Sequence, residues 1–251
     1  MDIHHTTEMK LGESYFIKAL LVGGAGGGKT TSAATLPGRK LLIDLDNGKE
    51  VLLGREDVDY VDISEPSPTQ PKAYQQLEKL RQEMGLLLRE GKFPYQSVIF
   101  DSGTRLYEVA LNYVMMLDAS RNSGGSPTTN HWVLQKSHSQ KMIEWLIHQP
   151  FHLVVTMHET LVKDELSGQV IWMPAITGKD AAWIPRRFRE VYHCFATSKK
   201  DSEGKDKVVW RWRTAPENQR PFLKSSLNTG SKYWPPVVEP DFATILKLRG
   251  L

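Results

Sequence analysis

The 251-residue chain is 40% hydrophobic and 24% charged, with a formal net charge of +3, which is ordinary for a soluble globular protein with material for a sizeable core. No stretch approaches the ~18 apolar residues of a membrane span, and the first residues lack the basic and apolar regions of a signal peptide. Cys194 is the only cysteine, which excludes an intrachain disulfide and fits a reducing cytoplasm.

Tyr15 to Val22 reads as a buried strand, and it runs into Gly23-Gly24-Ala25-Gly26-Gly27-Gly28-Lys29-Thr30. That run fits G-x-x-x-x-G-K-[ST], the phosphate-binding loop. A short helix from Thr30 to Leu36 is stopped by Pro37-Gly38. The glycines let successive N–H groups point at phosphate oxygens, Lys29 reaches the β- and γ-phosphates, and Thr30 ligates Mg²⁺. Residues Gly23 to Thr31 are therefore the expected nucleotide site, with ATP and Mg²⁺ as cofactors.

Strands are expected over 40–46, ending in Asp44-Leu45-Asp46, and over 58–63, followed by a loop at Glu65-Pro66. Apolar residues at helical spacing predict a helix from 71 to 90. Ser97 to Asp101 is a short apolar strand ending in an acid, the pattern of the carboxylate that holds the Mg²⁺ shell. Helices are expected over 104–120 and 131–148, joined by the Gly- and Ser-rich loop Arg121 to Asn130, and a buried strand over 151–157. A hairpin is expected over 161–173, then two strands over 190–198 and 207–214, and a Pro-rich tail from Ala215 that wraps the core or reaches a neighbour. Strands alternating with helices predict an α/β fold with a mostly parallel sheet, extended by antiparallel strands at the C-terminal side. One domain is expected over 1–251, its core at about 15–214.

Hydrolysis needs a group that orients water. Glu65 is the first candidate, with Asp44, Asp46 and Glu159 at other strand ends. His158 directly follows a strand, where it can sense the γ-phosphate. Lys179, in Thr177-Gly178-Lys179, can insert into a neighbour's site and stabilise phosphoryl charge. Residues 186–213 hold nine basic and four acidic side chains, a local +5 against −2 elsewhere, which suggests a polyanionic partner. The segment also interleaves aromatics, a pattern that suits nucleic acid. Alternation in Trp210-Arg211-Trp212-Arg213 puts the tryptophans on one face, expected to be the core, and the arginines on the other.

In order along the chain, Gly23 to Thr31, Leu42-Ile43-Asp44, Val98-Ile99-Phe100-Asp101-Ser102, Val154-Val155-Thr156-Met157-His158-Glu159 and Pro174-Ala175-Ile176-Thr177-Gly178-Lys179 resemble the phage-encoded AAA-family, RecA-like ATPases, including core-only single-strand annealing proteins. The resemblance covers roughly Tyr15 to Thr214. It implies a RecA-type core that binds single-stranded DNA, assembles as a ring or filament, and promotes annealing or strand exchange, in the host cytoplasm and alongside a single-strand-binding protein. It places Lys29 and Thr30 on phosphate and Mg²⁺, Asp101 on Mg²⁺, and His158 where RecA has a γ-phosphate-sensing glutamine. RecA's extra DNA-binding domain is expected to be lacking. The two DNA loops would correspond to Arg121–Asn130 and Lys163–Lys179, and Arg121, Lys163, Arg186, Arg187, Arg189, Arg211 and Arg213 are the candidate DNA contacts. A nucleotide kinase with Arg186-Arg187-Phe188-Arg189 as lid, a helicase loader or packaging motor, and a non-hydrolysing scaffold share the same loop.

Overall fold

Consecutive apolar residues, rather than alternating ones, mark strands covered on both faces. In the computed structural model, which describes residues 15–65, 70–120, 125–163, 168–227 and 234–249, those runs lie side by side. The elements in chain order are β1 (Lys18–Val22), α1 (Lys29–Ala33), β2 (Lys40–Asp44), β3 (Val58–Asp62), α2 (Ala73–Arg89), β4 (Ser97–Asp101), α3 (Gly103–Leu117), α4 (Thr129–His148), β5 (His152–Met157), β6 (Glu159–Lys163), β7 (Val170–Pro174), α5 (Asp180–Arg187), β8 (Glu190–Lys200), β9 (Asp206–Arg213), β10 (Val237–Val238) and α6 (Phe242–Arg249). An eight-stranded sheet has the order β10-β9-β8-β1-β5-β4-β2-β3. It is parallel from β8 through β3, and β9 and β10 add to it antiparallel. β6 and β7 form a separate antiparallel pair. The structure is thus α/β with a mostly parallel central sheet, flanking helices and C-terminal antiparallel strands.

Period-two alternation assigns β1 to two cores. Leu20 and Val22 pack with α2, α3, α4 and α5 through Leu77, Leu106, Ile143 and Ile184. Ile17, Ala19 and Leu21 pack with α1 and α6 through Ala33, Phe242 and Ile245. The Pro-rich tail closes over this frame: Leu223, Leu227, Trp234 and Phe242 are buried, and β10 extends the sheet.

Several boundaries differ from expectation for local reasons. α1 is shorter, because the chain tightens into turns before Pro37. The hairpin starts at Glu159, one residue past His158. α5 was not anticipated, since Pro185 and Arg186-Arg187 hide its apolar face, Ala181 and Ile184. The predicted loop Arg121 to Asn130 lies partly outside the described residues, as do the hairpin turn at Leu166-Ser167 and the loop at Pro66. Among the described residues, no helix is long and apolar enough to cross a membrane.

Candidate active site

The parallel strands all end at one edge, where open α/β sheets bind ligands. Register puts Val22 beside Met157 and Asp44 beside Asp101. The Gly23–Thr30 loop starts there, its Gly23 N–H donating to Met157 O at 3.2 Å. The loop is pressed against β8: a Cβ on Gly23 would stand 2.4 Å from the Cys194 carbonyl oxygen. Gly28 takes φ +80°, and a Cβ there would stand 2.5 Å from the Trp210 ring, so no other residue fits without displacing that ring. Behind the loop the Cys194 thiol is fully buried, and burial pushes its pKa up to about 12.

Lys29 folds back over the loop, its Nζ donating to Gly23 O at 3.0 Å and Gly24 O at 2.9 Å. Burial lowers its pKa, while Asp101 and Asp46 among other neighbours pull it up. An ammonium held only by neutral carbonyls in a buried site favours an incoming anion. The loop's exposed residues Gly24, Ala25 and Gly26, together with Gly27 and Thr31, complete the cradle.

Thr30 Oγ1 donates to Asp101 Oδ2 at 2.6 Å, and Thr156 donates to Asp101 Oδ1. Asp101 is buried, and its pKa is raised by burial first, with Asp46 and Asp44 adding repulsion and the two threonine bonds opposing. Among the described residues, no cluster of three or more His, Cys, Asp or Glu could hold a metal by itself. The adjacent hydroxyl and carboxylate nevertheless suit Mg²⁺, which keeps water and substrate phosphate and takes only one or two protein carboxylates. Excess negative charge around Asp101 fits a cation in the same way.

Asp44 and Asp46 face different tasks. Asp44 is buried and shapes the turn after β2: Oδ1 accepts from the N–H groups of Asp46 (3.2 Å) and Gly48 (2.9 Å), and Oδ2 from Lys49 N–H (3.1 Å). That turn lies over the Thr30–Asp101 pair, a Cβ on Gly48 standing 2.8 Å from Asp101 Oδ2. Asp46 is exposed. Its Oδ2 accepts from Ser102 Oγ at 2.7 Å and meets His158 Nε2 at 3.1 Å, and Oδ1 meets no donor among the described residues. The His158 bond is the main reason the Asp46 carboxyl titrates below its ordinary range, with burial opposing and the Ser102 bond adding. Ser102 also caps α3, accepting from Arg105 N–H at 3.2 Å. His158 thus reaches this edge as expected, and its carbonyl accepts from Ala175 N–H at 2.8 Å, where the loop to Lys179 begins.

The structure does not bring Glu65 to the phosphate loop, although β3 ends at the same edge of the sheet. β3 is four strands from β1, roughly 19 Å at ordinary spacing. Glu65 accepts from Asn112 Nδ2 at 2.5 Å, about 14 Å along α3 from its start. Glu159 is engaged elsewhere: Arg220 binds both its oxygens at 3.0 Å, and His193 Nε2 lies at 3.2 Å. Lys179 is exposed at the start of α5, beside Tyr107 and Trp132, on the sheet face away from α1. Lys163 ends β6, exposed, and Arg121 lies outside the described residues.

The basic segment divides in two. Arg189 N–H bonds Lys18 O, so Arg186, Arg187 and Arg189 sit at the opposite end of the sheet from the phosphate loop, roughly 17 Å away along β1. Arg187 is paired with Glu144 at 2.5 Å. The lid reading loses its arginines for this reason. Arg211 and Arg213 lie at the loop end, paired with Glu239 (3.3 Å) and with Glu217. The shared tryptophan face also divides: Trp212 is buried, its ring tilted against those of Tyr192 and Phe242, whereas Trp210 is 44% exposed and donates from its indole N–H to Gly26 O at 3.1 Å. At Trp210, two residues earlier in β9, the covering neighbour is the loop rather than a helix.

A family model described as an AAA domain matches residues 16–220. The chain belongs to this AAA-domain family. With the loop geometry above, it is an AAA-type P-loop ATPase. No curated protein matches the sequence. Among solved structures, it is similar to a prototypical ATPase from the type III secretion system of pathogenic bacteria, with 14% identity and a TM-score of 0.48 over 71% of this chain. The match covers 52% of that ATPase, so this chain spans about half its length.

Asp46, Ser102 and Thr156 are the partners that sequence reasoning underrated. Thr156 left a signal, a lone hydroxyl in Val154-Val155-Thr156-Met157, and the Asp-Leu-Asp-Asn-Gly run after β2 left another.

Proposed function

We propose that this AAA-domain ATPase is an ATP-dependent single-stranded-DNA-binding protein that promotes annealing or strand exchange in DNA recombination, with Mg-ATP switching its DNA affinity and its assembly. One observation carries the reading, the seam between loop and ribbon. Gly23 packs on the Cys194 carbonyl of β8, and Trp210 of β9 bonds Gly26. The same two strands run on to exposed Lys199, Lys200 and Lys207, which have no ion-pair partner among the described residues. Occupancy of the loop therefore bears on the strands that present positive charge.

In this reading Lys29 exchanges loop carbonyls for β- and γ-phosphate oxygens. Thr30 and Asp101 hold Mg²⁺, which supplies charge neutralisation at the transferred phosphoryl group. Asp46 takes the water-orienting role expected of Glu65, because its Oδ1 is open and its other oxygen is fixed by Ser102 and His158. His158 passes the change on through Ala175 to the loop before Lys179, which completes the site of a neighbouring copy.

A second reading, a motor or helicase-loader ATPase, draws support from exposed Leu161, Val162 and Val170 on the β6–β7 pair and Val133 and Leu134 on α4, which suit a protein partner. Phosphate release measured with and without single-stranded DNA separates them. We expect stimulation by single-stranded DNA that Lys29→Ala abolishes, and DNA binding that weakens steeply with salt. Stimulation only by duplex DNA or a protein partner would favour the motor. Phosphate transfer to a nucleoside monophosphate would favour a kinase.

A further inference from the structure

The tail that follows β9 reaches back to the active site through one side chain. Arg220 is buried, and its Nε and Nη2 donate to both carboxylate oxygens of Glu159 at 3.0 Å. Its Nη1 donates to Glu217 Oε1 at 3.0 Å, and its guanidinium lies over the Trp172 ring of β7, 5.1 Å from the centroid. We infer that Arg220 is a positioning residue for ATP hydrolysis: it fixes Glu159 so that the adjacent His158 holds Asp46 in its water-orienting pose. The inference rests on the Asp46 reading above and adds the tail as a working part of that site.

His158 sits at a joint between two sheets. β5 leaves the large sheet at Met157, and Glu159 opens β6 of the separate two-stranded pair. The His158 backbone is held at two points, its N–H by Thr104 Oγ1 at 3.0 Å and its carbonyl by Ala175 N–H at 2.8 Å. Neighbouring side chains of an extended chain point to opposite sides. His158 goes to Asp46, and Glu159 goes to His193 of β8 and to Arg220. A twist about the joint therefore moves both side chains at once. A bidentate guanidinium–carboxylate pair fixes direction as well as distance, so the Glu159–Arg220 pair closes the rotation that would carry the imidazole off Asp46. The tail does not need this pair in order to dock, because Leu223 is buried in the core and Lys224 exchanges backbone bonds with Val191 at 2.9 and 3.1 Å. A buried ion pair also adds little stability over apolar packing of the same volume, which leaves geometry as its contribution. The pair stands beside the phosphate loop, since His193 lies in register with Val22, the residue before Gly23. All three guanidinium nitrogens are engaged by Glu159 and Glu217, so Arg220 acts through Glu159 and not on phosphate.

The test compares the full chain with Arg220→Ala and with the double variant Arg220→Ala, Glu159→Gln, by phosphate release, Mg-ATP titration and denaturant melts. Arg220→Ala should lower kcat about 10- to 100-fold and leave the Mg-ATP dissociation constant unchanged. The double variant removes the carboxylate that the single variant leaves buried and unpaired. It should regain the melting midpoint of the parent but not its kcat. Guanidinium ion at low millimolar concentration should raise the rate of Arg220→Ala and not that of the double variant. A double variant that regains rate together with stability would overturn the inference, making the pair a structural tie only. An equal response of both variants to guanidinium would overturn it as well. So would a loss confined to Mg-ATP affinity, which would make Arg220 a shield between the Glu159 charge and the phosphates. Parent kcat in Arg220→Ala, alongside a slow Asp46→Asn, would overturn the inference and leave the Asp46 reading intact. Parent kcat in Asp46→Asn would overturn both.

Discussion

At the loop edge of the parallel strands, acidic groups, buried in the case of Asp101 and exposed in the case of Asp46, are held by residues from other elements. Asp101 of β4 is bonded by Thr156 of β5 and Thr30 of α1, and Asp46 by Ser102 and His158. On the far end of the β8–β9 ribbon, Lys199, Lys200 and Lys207 stand in water, and the pairs that form there, such as Lys205–Glu203 at 2.9 Å, are local and exposed. Topology builds the first region, and side-chain alternation along two adjacent strands builds the second. Substitutions in the first should change rates and folding sharply, whereas those in the second should change long-range attraction and little else.

The sharpest break lies between two neighbouring acids. Asp46→Asn should lower the ATPase rate about 10²- to 10⁴-fold with nucleotide affinity retained, as read by phosphate release and titration. Asp44→Ala should instead cost about 1–3 kcal/mol of stability by removing the buried carboxylate that three part-buried N–H groups of the turn donate to, as read by denaturant melts; equal effects on rate from both would dissolve the distinction. Next, Trp212→Ala should cost about 3–5 kcal/mol by opening a core cavity, well above the cost of Trp210→Ala in the same melt. Glu159 tests the junction between the regions. Burial would raise its pKa, but bonds from His193 and Arg220 hold it at about 2, against an ordinary 4.5. Because the folded value is the lower one, its stabilisation is complete above about pH 4.5 and fades as pH falls toward 2. Glu159→Gln should flatten that part of the melting midpoint against pH; parallel curves would show that the network contributes nothing. Smallest, Lys199→Ala with Lys200→Ala should leave stability within about 0.5 kcal/mol and reduce the salt slope of single-stranded DNA binding by about 1–2.

The phosphate loop was legible because its donors, its lysine and its hydroxyl are consecutive in the chain. Asp101 was legible because an acid ending an apolar strand has one place to go. Asp46 was named only among several acids, since its meeting with Ser102 and His158 depends on β5, β4 and β2 lying side by side. Glu65 misled for the same reason: nothing in Val58 to Ile63 says that β3 occupies the outer edge. The alternation of Trp210 and Trp212 was read correctly, but not that the helical cover ends between them. Arg186 to Arg213 looked like one basic stretch because a strand carries neighbours in sequence to opposite ends of a sheet.

Cys194 backs the phosphate loop from β8, its thiol buried and pushed up to about 12, so a thiol-reactive dye meets no thiolate while the seam is closed. As the chain's only cysteine, it gives a single labelling signal whose rate counts openings of that seam. Nucleotide that tightens the loop should slow the labelling, which turns one side chain into a clock for the motion between ATP and the ribbon.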